Sequence, residues 1–180
     1  MEINKQKIEQ IIRDKGFKDL KWINPGEIIV SYWVRMKCMF GCSSYNANGT
    51  CPPNIPPVEE CRRFLQEYEH GLILHFSKLL NDPADRIEYC NEINKTLLKI
   101  EREVFLAGYR KAFILFIDEC HLCSDCSGKR DNCKNKKDSR PNPESLAIDV
   151  FKTVEKYDFP INVLRNYDEV MNRYSILLIE

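Results

Sequence analysis

Nine cysteines are spread unevenly along the 180-residue chain, and seven of them fall in two short segments. The denser segment has a C-x2-C-x2-C-x6-C pattern, formed by Cys120, Cys123, Cys126 and Cys133. Three thiolates spaced two residues apart can wrap a turn around one inorganic centre, and a fourth from farther along the chain can close it. This spacing predicts a 4Fe-4S cluster.

Zinc is the alternative metal for the same four thiols. Zn²⁺ accepts a tetrahedron of four thiolates, although its structural sites more typically use two separated C-x2-C pairs. His121 lies inside the motif, but four thiols already complete a tetrahedral set, so we expect it to be a loop residue. An anionic cluster would suit the basic side chains nearby, which are Lys129, Arg130, Lys134, Lys136, Lys137 and Arg140.

The second segment, residues 38–53, contains Cys38, Cys42 and Cys51 in a C-x3-C-x8-C pattern and ends on two prolines. Three cysteine ligands leave one metal position open, and catalytic metal sites keep such a position for an exogenous ligand. The segment therefore predicts a second metal or cluster site with one free position. Reactive thiols and a structural loop are the alternatives. The spacing differs from the C-x3-C-x2-C pattern of radical-SAM enzymes.

The two remaining cysteines, Cys61 and Cys90, fall on apolar stripes of predicted helices. A free cysteine in such a position behaves as a small hydrophobic residue. We therefore expect both to lie in the core, away from any metal.

Hydrophobic periodicity predicts the elements that must position these loops. Helices are expected where apolar residues recur at helical spacing, and strands where β-branched and aromatic residues cluster. The predicted helices are one around Ile8, Ile11 and Ile12, then 58–70, 83–108 and 143–157; the predicted strands are 27–36, 72–76, 111–117 and 174–180.

Alternation of helices and strands predicts an α/β fold, with a mostly parallel or mixed sheet of four or more strands. Both cysteine-rich loops, 38–53 and 120–133, are expected to follow strands and to lie at one edge of the sheet. The length suits one metal-binding domain over residues 1–180.

Composition restricts the classes of binding partner and the cellular compartment that we expect for this protein. The 27 basic and 27 acidic residues cancel, which argues against nucleic acid as the partner. No apolar run is long enough to span a bilayer, and the N-terminal segment lacks the apolar core of a signal peptide. We therefore expect a cytoplasmic protein whose cysteines serve metal or redox chemistry rather than disulfides. The oligomeric state is left open.

The segments CMFGCSSYNANGTCPP, FLAGYRKAFIL, CHLCSDC and DSRPNPESLAIDVFKTV, with the closing YSILLIE, resemble the DUF2284 family of predicted metal-binding proteins. The resemblance runs from about residue 30 to residue 180. It implies the same seven cysteines as site residues. Family members often carry a further cysteine where this chain has Leu146 or Ala147, which leaves the four cysteines of 120–133 as a self-contained set.

Three functions are consistent with these patterns. The first is electron transfer, in which the cluster passes single electrons to a redox protein partner with an acidic surface. The second is cluster-based sulfur chemistry on a small sulfur-containing ligand at the open iron. The third is a zinc-stapled binding module without catalysis. The sequence presents no obvious general base, so enzymatic activity is left open.

Overall fold

The computed structural model describes residues 3–180, so residues 1 and 2 of the predicted domain lie outside the described part. Its centre is a four-stranded sheet in the order β1-β2-β4-β3. The strands are β1 Leu20–Ile23, β2 Gly71–Lys78, β3 Phe113–Leu115 and β4 Met171–Leu178. The predicted α/β class is confirmed, but each neighbouring pair of strands is antiparallel, so the prediction of a mostly parallel or mixed sheet was wrong.

The position of β4 explains this difference. Ile176 of β4 pairs with Ile73 of β2 on one side and with Leu115 of β3 on the other. Because β2 and β3 each run antiparallel to β4, they run parallel to each other. The helix between them therefore does connect two co-directional strands, as alternation predicts, but the C-terminal strand occupies the place between them.

The helices cover both faces of the sheet. They are α1 Lys5–Asp14, α2 Tyr32–Gly41, α3 Val58–Gln66, α4 Pro83–Leu106 and α5 Val150–Glu155. Single 3-10 turns occupy Pro25–Glu27, Arg130–Asn132 and Glu144–Leu146. Helix α4 begins where the Asp82 side chain accepts a hydrogen bond from the Ala84 amide, with Pro83 in the first turn.

Two of the predicted elements have different structures. Residues 27–36 were predicted as a strand, but only Val30 makes a single bridge, to Ile148, and α2 begins at Tyr32. Residues 143–157 were predicted as one helix, but Ala147 has a φ of 60° and separates the 3-10 turn from α5. A left-handed residue cannot continue a right-handed helix, so the helix is interrupted there.

Each face of the sheet packs on its own hydrophobic cluster. Helices α1 and α4 cover one face, with Ile8, Leu97 and Val104 fully buried against Leu72 and its neighbours. Helices α3 and α5 lie with the other cluster, against the opposite face. Cys90 belongs to the first cluster and Cys61 to the second, and both are buried, as the helical spacing predicted.

Candidate metal centre

The four-cysteine segment lies in a long irregular loop, residues 116–141, that follows the edge strand β3. The Phe116 amide donates to the Pro141 carbonyl at 2.9 Å, and this hydrogen bond joins the two ends of the loop. Arg140 forms an ion pair with the largely buried Glu101 of α4 at 2.8 Å, and Glu101 also accepts from the Ile114 amide. Both ends of the loop are therefore fixed to the core. Cys120 packs against the cluster of α1 and α4, whereas Cys123, Cys126 and Cys133 belong to neither hydrophobic cluster.

Polar groups surround the sulfur atoms of this segment. Asn135 Nδ2 donates to Cys123 Sγ at 3.0 Å, and the Gly49 amide donates to Cys126 Sγ at 3.5 Å. Cys133 Sγ lies 3.6 Å from the hydroxyl of Ser139. Hydrogen bonds to sulfur are the contacts that orient thiolate ligands and tune the potential of a metal centre.

The four thiols of this segment influence one another electrostatically. Burial raises the pKa of Cys120, and the neighbouring Cys133, Cys123 and Cys126 raise it further. In the absence of a cation, negative charge on the neighbouring thiols opposes the ionisation of Cys120, because thiolate charges repel. A bound metal would remove that repulsion.

The three-cysteine site is built from one helix and the loop that follows it. Cys38 lies in α2 and Cys42 is the residue that ends it, so the two are four residues apart, about one helical turn. Cys51 comes from the loop and is buried, with Ser145 Oγ donating to its sulfur at 3.8 Å. Burial raises the pKa of Cys51 to about 12, and that of Cys38 is raised by burial and by Cys42.

These three thiols line one pocket with a volume of about 420 Å³. The pocket lies at the carboxyl end of β3, where the chain continues through Ile117 and Asp118. Polar and charged groups contribute the rest of its wall, and the main ones are Asp118, Glu119, Asn142, Glu144, Ser145 and Arg173. The volume falls within the usual range of ligand pockets, about 300–1,000 Å³.

Glu144 and Arg173 give the pocket its charged side. Glu144 is exposed and its side chain borders the open space of the pocket. Arg173 Nε lies 3.8 Å from Asp118 Oδ2. The pocket therefore combines soft sulfur donors on one side with carboxylates and a guanidinium on the other.

The two cysteine loops are in direct contact. Asn48 Nδ2 donates to the Cys120 carbonyl at 2.9 Å, and Asn54 Nδ2 donates to the Gly128 carbonyl at 2.9 Å. A Cβ atom at Gly49 would lie 3.3 Å from the Lys129 carbonyl, so the two backbones approach closely at this glycine. The expectation that the loops share one edge of the sheet agrees with these contacts, although the first loop follows helix α2 rather than a strand.

Within residues 3–180, no three His, Cys, Asp or Glu side chains converge tightly enough to hold one metal ion. The chemistry of the donors nevertheless fits a soft metal or cluster. Seven thiols lie in two touching segments, sulfurs of the four-cysteine set accept N–H hydrogen bonds, and the basic side chains of residues 129–140 adjoin that set in sequence.

The chain matches the model of the family described as predicted metal-binding protein (DUF2284) over residues 21–179. It belongs to this family. The DUF2284 description supports metal binding and names neither a metal nor a reaction. No curated protein and no solved structure shows significant similarity to the chain. In the part of the chain that the structure describes, every helix is too short or too polar to cross a bilayer.

Several residues of the site were not predicted from the sequence. Glu144 and Arg173 are distant from the cysteines along the chain and reach the pocket only through the fold. Asn48 could have been suspected, because the segment NANGT is typical of a turn in which asparagine side chains bond to the backbone. His75 contacts Asp19 and Asn172 rather than the pocket, and His121 pairs with Glu119 at 3.4 Å.

Proposed function

We propose that this DUF2284 protein is an iron-sulfur protein with a 4Fe-4S cluster on Cys120, Cys123, Cys126 and Cys133. A second centre is held by Cys38, Cys42 and Cys51 and keeps one position free for an exogenous ligand. The protein acts in electron transfer or in sulfur chemistry at that free position. This proposal assigns the metal-binding property of the family to seven named residues.

The partition of the cysteines is the observation that carries the proposal. Cys61 and Cys90 are 1% and 0% exposed and serve the core, whereas the other seven lie in two segments that touch each other, with Cys38 in α2 and the other six at its end or in loops. Packing explains the burial of Cys61 and Cys90 and part of that of Cys51 and Cys120, but it does not require seven thiols in two neighbouring segments. Thiolate ligands with N–H donors to their sulfurs do account for it.

A bound 4Fe-4S cluster would supply one-electron chemistry, and the chain itself provides the surroundings. The Asn135 amide and the Gly49 amide donate to sulfur and stabilise its negative charge. Gly49 is two residues from Cys51, so at most about 7 Å separates their Cα atoms. The backbone from Gly49 to Cys51 thus offers a short path for electrons between the two centres.

The pocket around the trio would bind and orient the exogenous ligand. Arg173 offers N–H donors to an anionic group, while Asn142 and Ser145 offer neutral polar contacts. Glu144 offers a carboxyl group beside such a ligand. One side of the pocket thus binds and orients the ligand, while the thiols on the other side hold the metal.

Anaerobic purification followed by iron, acid-labile sulfide and zinc analysis with EPR tests the proposal. We expect a brown protein that contains iron and sulfide. Cys123→Ser should remove most of the cluster on its loop, because serine is a poor substitute for a soft thiolate. Cys61→Ala serves as the matched control and should keep its metal while losing some stability.

A colourless protein with stoichiometric zinc from anaerobic cells would contradict the proposal. The four-cysteine loop would then be a structural zinc site, and the protein a stapled binding module without redox chemistry.

A further inference from the structure

A second cavity, of about 630 Å³, opens beside the thiol pocket. Cys38, Cys42 and Glu144 line both cavities, so the second one leads directly to the thiols. Its other walls come from α2, from the residues at and just before the start of α5, and from the segment before β4. Apart from Lys37 they are mainly apolar: Trp33, Val34, Ile148, Val150, Phe151 and Val163. A polar cavity and an apolar cavity therefore meet at the proposed metal-binding cysteines.

The walls of the apolar cavity are held in place by hydrogen bonds. Trp33 Nε1 donates to Asp149 Oδ2 at 3.2 Å, and Asp149 Oδ1 accepts from the Lys152 amide at the start of α5. The Ser31 amide donates to the Ala147 carbonyl at 2.8 Å. Because these contacts join the beginning of α2 to the beginning of α5, the cavity is formed before any ligand binds, as is usual for small-molecule sites.

The large side chains of this cavity are unusually open to water. Trp33 is 47% exposed, Phe151 37% and Val163 73%. Single exposed apolar residues are common on protein surfaces, but these three converge on one concavity that ends at thiols. Concave shape and a reactive end fit a small molecule with an apolar portion.

We propose that the ligand of the open three-cysteine centre is an organosulfur compound with an aromatic or branched aliphatic body. Its sulfur end reaches Cys38 and Cys42, and its apolar body lies between Trp33 and Phe151. The polar cavity beyond takes any charged substituent, next to Arg173. The assignment of sulfur rests on the proposed function, since a soft open metal position prefers a sulfur ligand; the apolar body rests on the cavity alone.

Comparing two thiols on the anaerobically purified holoprotein tests this inference. Benzyl mercaptan carries an aromatic body, whereas 2-mercaptoethanol carries a small polar one. Each buried CH₂ strengthens binding about fourfold, so we expect benzyl mercaptan to bind roughly tenfold or more tightly. Binding is followed by absorption and EPR of the metal centre and by quenching of Trp33 fluorescence.

Three variants locate the effect. Phe151→Ala should reduce the advantage of benzyl mercaptan to a few-fold, because the ring loses one wall of the cavity. Phe40→Ala is the matched control, since Phe40 is 78% exposed on α2, the helix that carries Trp33, but does not line this cavity, and it should change nothing. Trp33→Phe should remove the fluorescence response and thereby identify its source.

The outcomes separate this inference from the proposed function. If sulfide perturbs the metal centre but the two thiols bind equally well, the inference is wrong and the proposed function stands. If the protein holds no metal, the proposed function fails. The apolar part of the inference is then tested with benzyl alcohol: quenching of Trp33 fluorescence that is lost in Phe151→Ala supports it, and no quenching contradicts it. If Phe151→Ala and Phe40→Ala both change the oligomeric state instead, the apolar face is covered by a second copy and the inference is wrong.

Discussion

The two cysteine sites differ in how the chain builds them. The four-cysteine set comes from one irregular segment, and its sulfurs contact side-chain and backbone donors such as Asn135 and Gly49. The three-cysteine set uses the end of α2 and the loop that follows it, and it faces a pocket with carboxylates and a guanidinium. A site whose sulfurs contact hydrogen-bond donors of the two loops suits storage or transfer of electrons, whereas a site that faces a pocket suits a ligand.

Removing one thiol from each site should give the largest effect and the clearest contrast. In Cys42→Ala, we expect the spectroscopic response to sulfide or to a small thiol to be abolished, because the open centre loses a third of its protein ligands. The centre on the four-cysteine loop should be unaffected. EPR and iron analysis measure both centres in one sample.

Cys126→Ser is the reciprocal variant. It should diminish the centre on residues 120–133 and leave the sulfide response in place, because Cys126 does not line the thiol pocket. If Cys42→Ala keeps all its iron and the same ligand response, the trio consists of structural or redox-active thiols, and the protein has one centre only.

The contact between the sites should have an effect of intermediate size. Asn48 is 6% exposed, donates to the Cys120 carbonyl and accepts from the amide and hydroxyl of Thr50. Asn48→Ala would leave buried polar groups of both loops without partners, so we expect the free energy of unfolding to fall by about 1–3 kcal/mol. Chemical denaturation of the metal-loaded protein measures this change.

Asn48→Asp sharpens the same experiment. Aspartate retains an acceptor for Thr50 but has no N–H to donate to Cys120. If contact between the loops matters to both centres, this variant should lower the metal content of both together, unlike either cysteine variant. If Asn48→Ala lowers the metal content of both centres equally and Asn48→Asp lowers neither, Asn48 acts only through the turn at Thr50.

The sequence predicted the parts of the fold that have strong periodicity and no competing signal. Helix α4 was predicted as 83–108 and spans Pro83–Leu106, with Leu97, Ile100 and Val104 fully buried on one face. Strands β2 and β4 were also predicted, because each is a run of aliphatic residues that is buried along most of its length.

Helix α2 was missed because its apolar residues do not serve the core. Of its ten residues only Val34 is buried, while Tyr32, Met36 and Met39 are about half exposed. Positions 32, 36 and 39 follow helical spacing, but the β-branched run before them gave the stronger signal. An exposed apolar stripe is expected where function rather than folding selects the residues.

Strand pairing could not be predicted from local patterns either. Short β1, Leu20–Ile23, pairs with β2, and β4 inserts between β2 and β3. Those choices depend on packing between elements far apart in sequence. The same reason explains the site: the seven cysteines were predicted from spacing, whereas Glu144 and Arg173 are brought to them by the fold.

The smallest expected effect concerns the tuning of the four-cysteine centre. Asn135 Nδ2 lies 3.0 Å from Cys123 Sγ, and Asn135→Leu keeps the size of the side chain while removing the donor. Loss of an N–H···S hydrogen bond leaves more negative charge on the sulfur, which favours the oxidised cluster. We therefore expect the reduction potential of the cluster to fall by on the order of tens of millivolts. Asn132→Leu is the matched control, because Asn132 is exposed in the same loop. Potentiometric EPR titration should show the shift only in the four-cysteine centre and only in Asn135→Leu. An unchanged potential in Asn135→Leu, or an equal shift in Asn132→Leu, would mean that the Asn135 amide shapes the loop without acting on the metal.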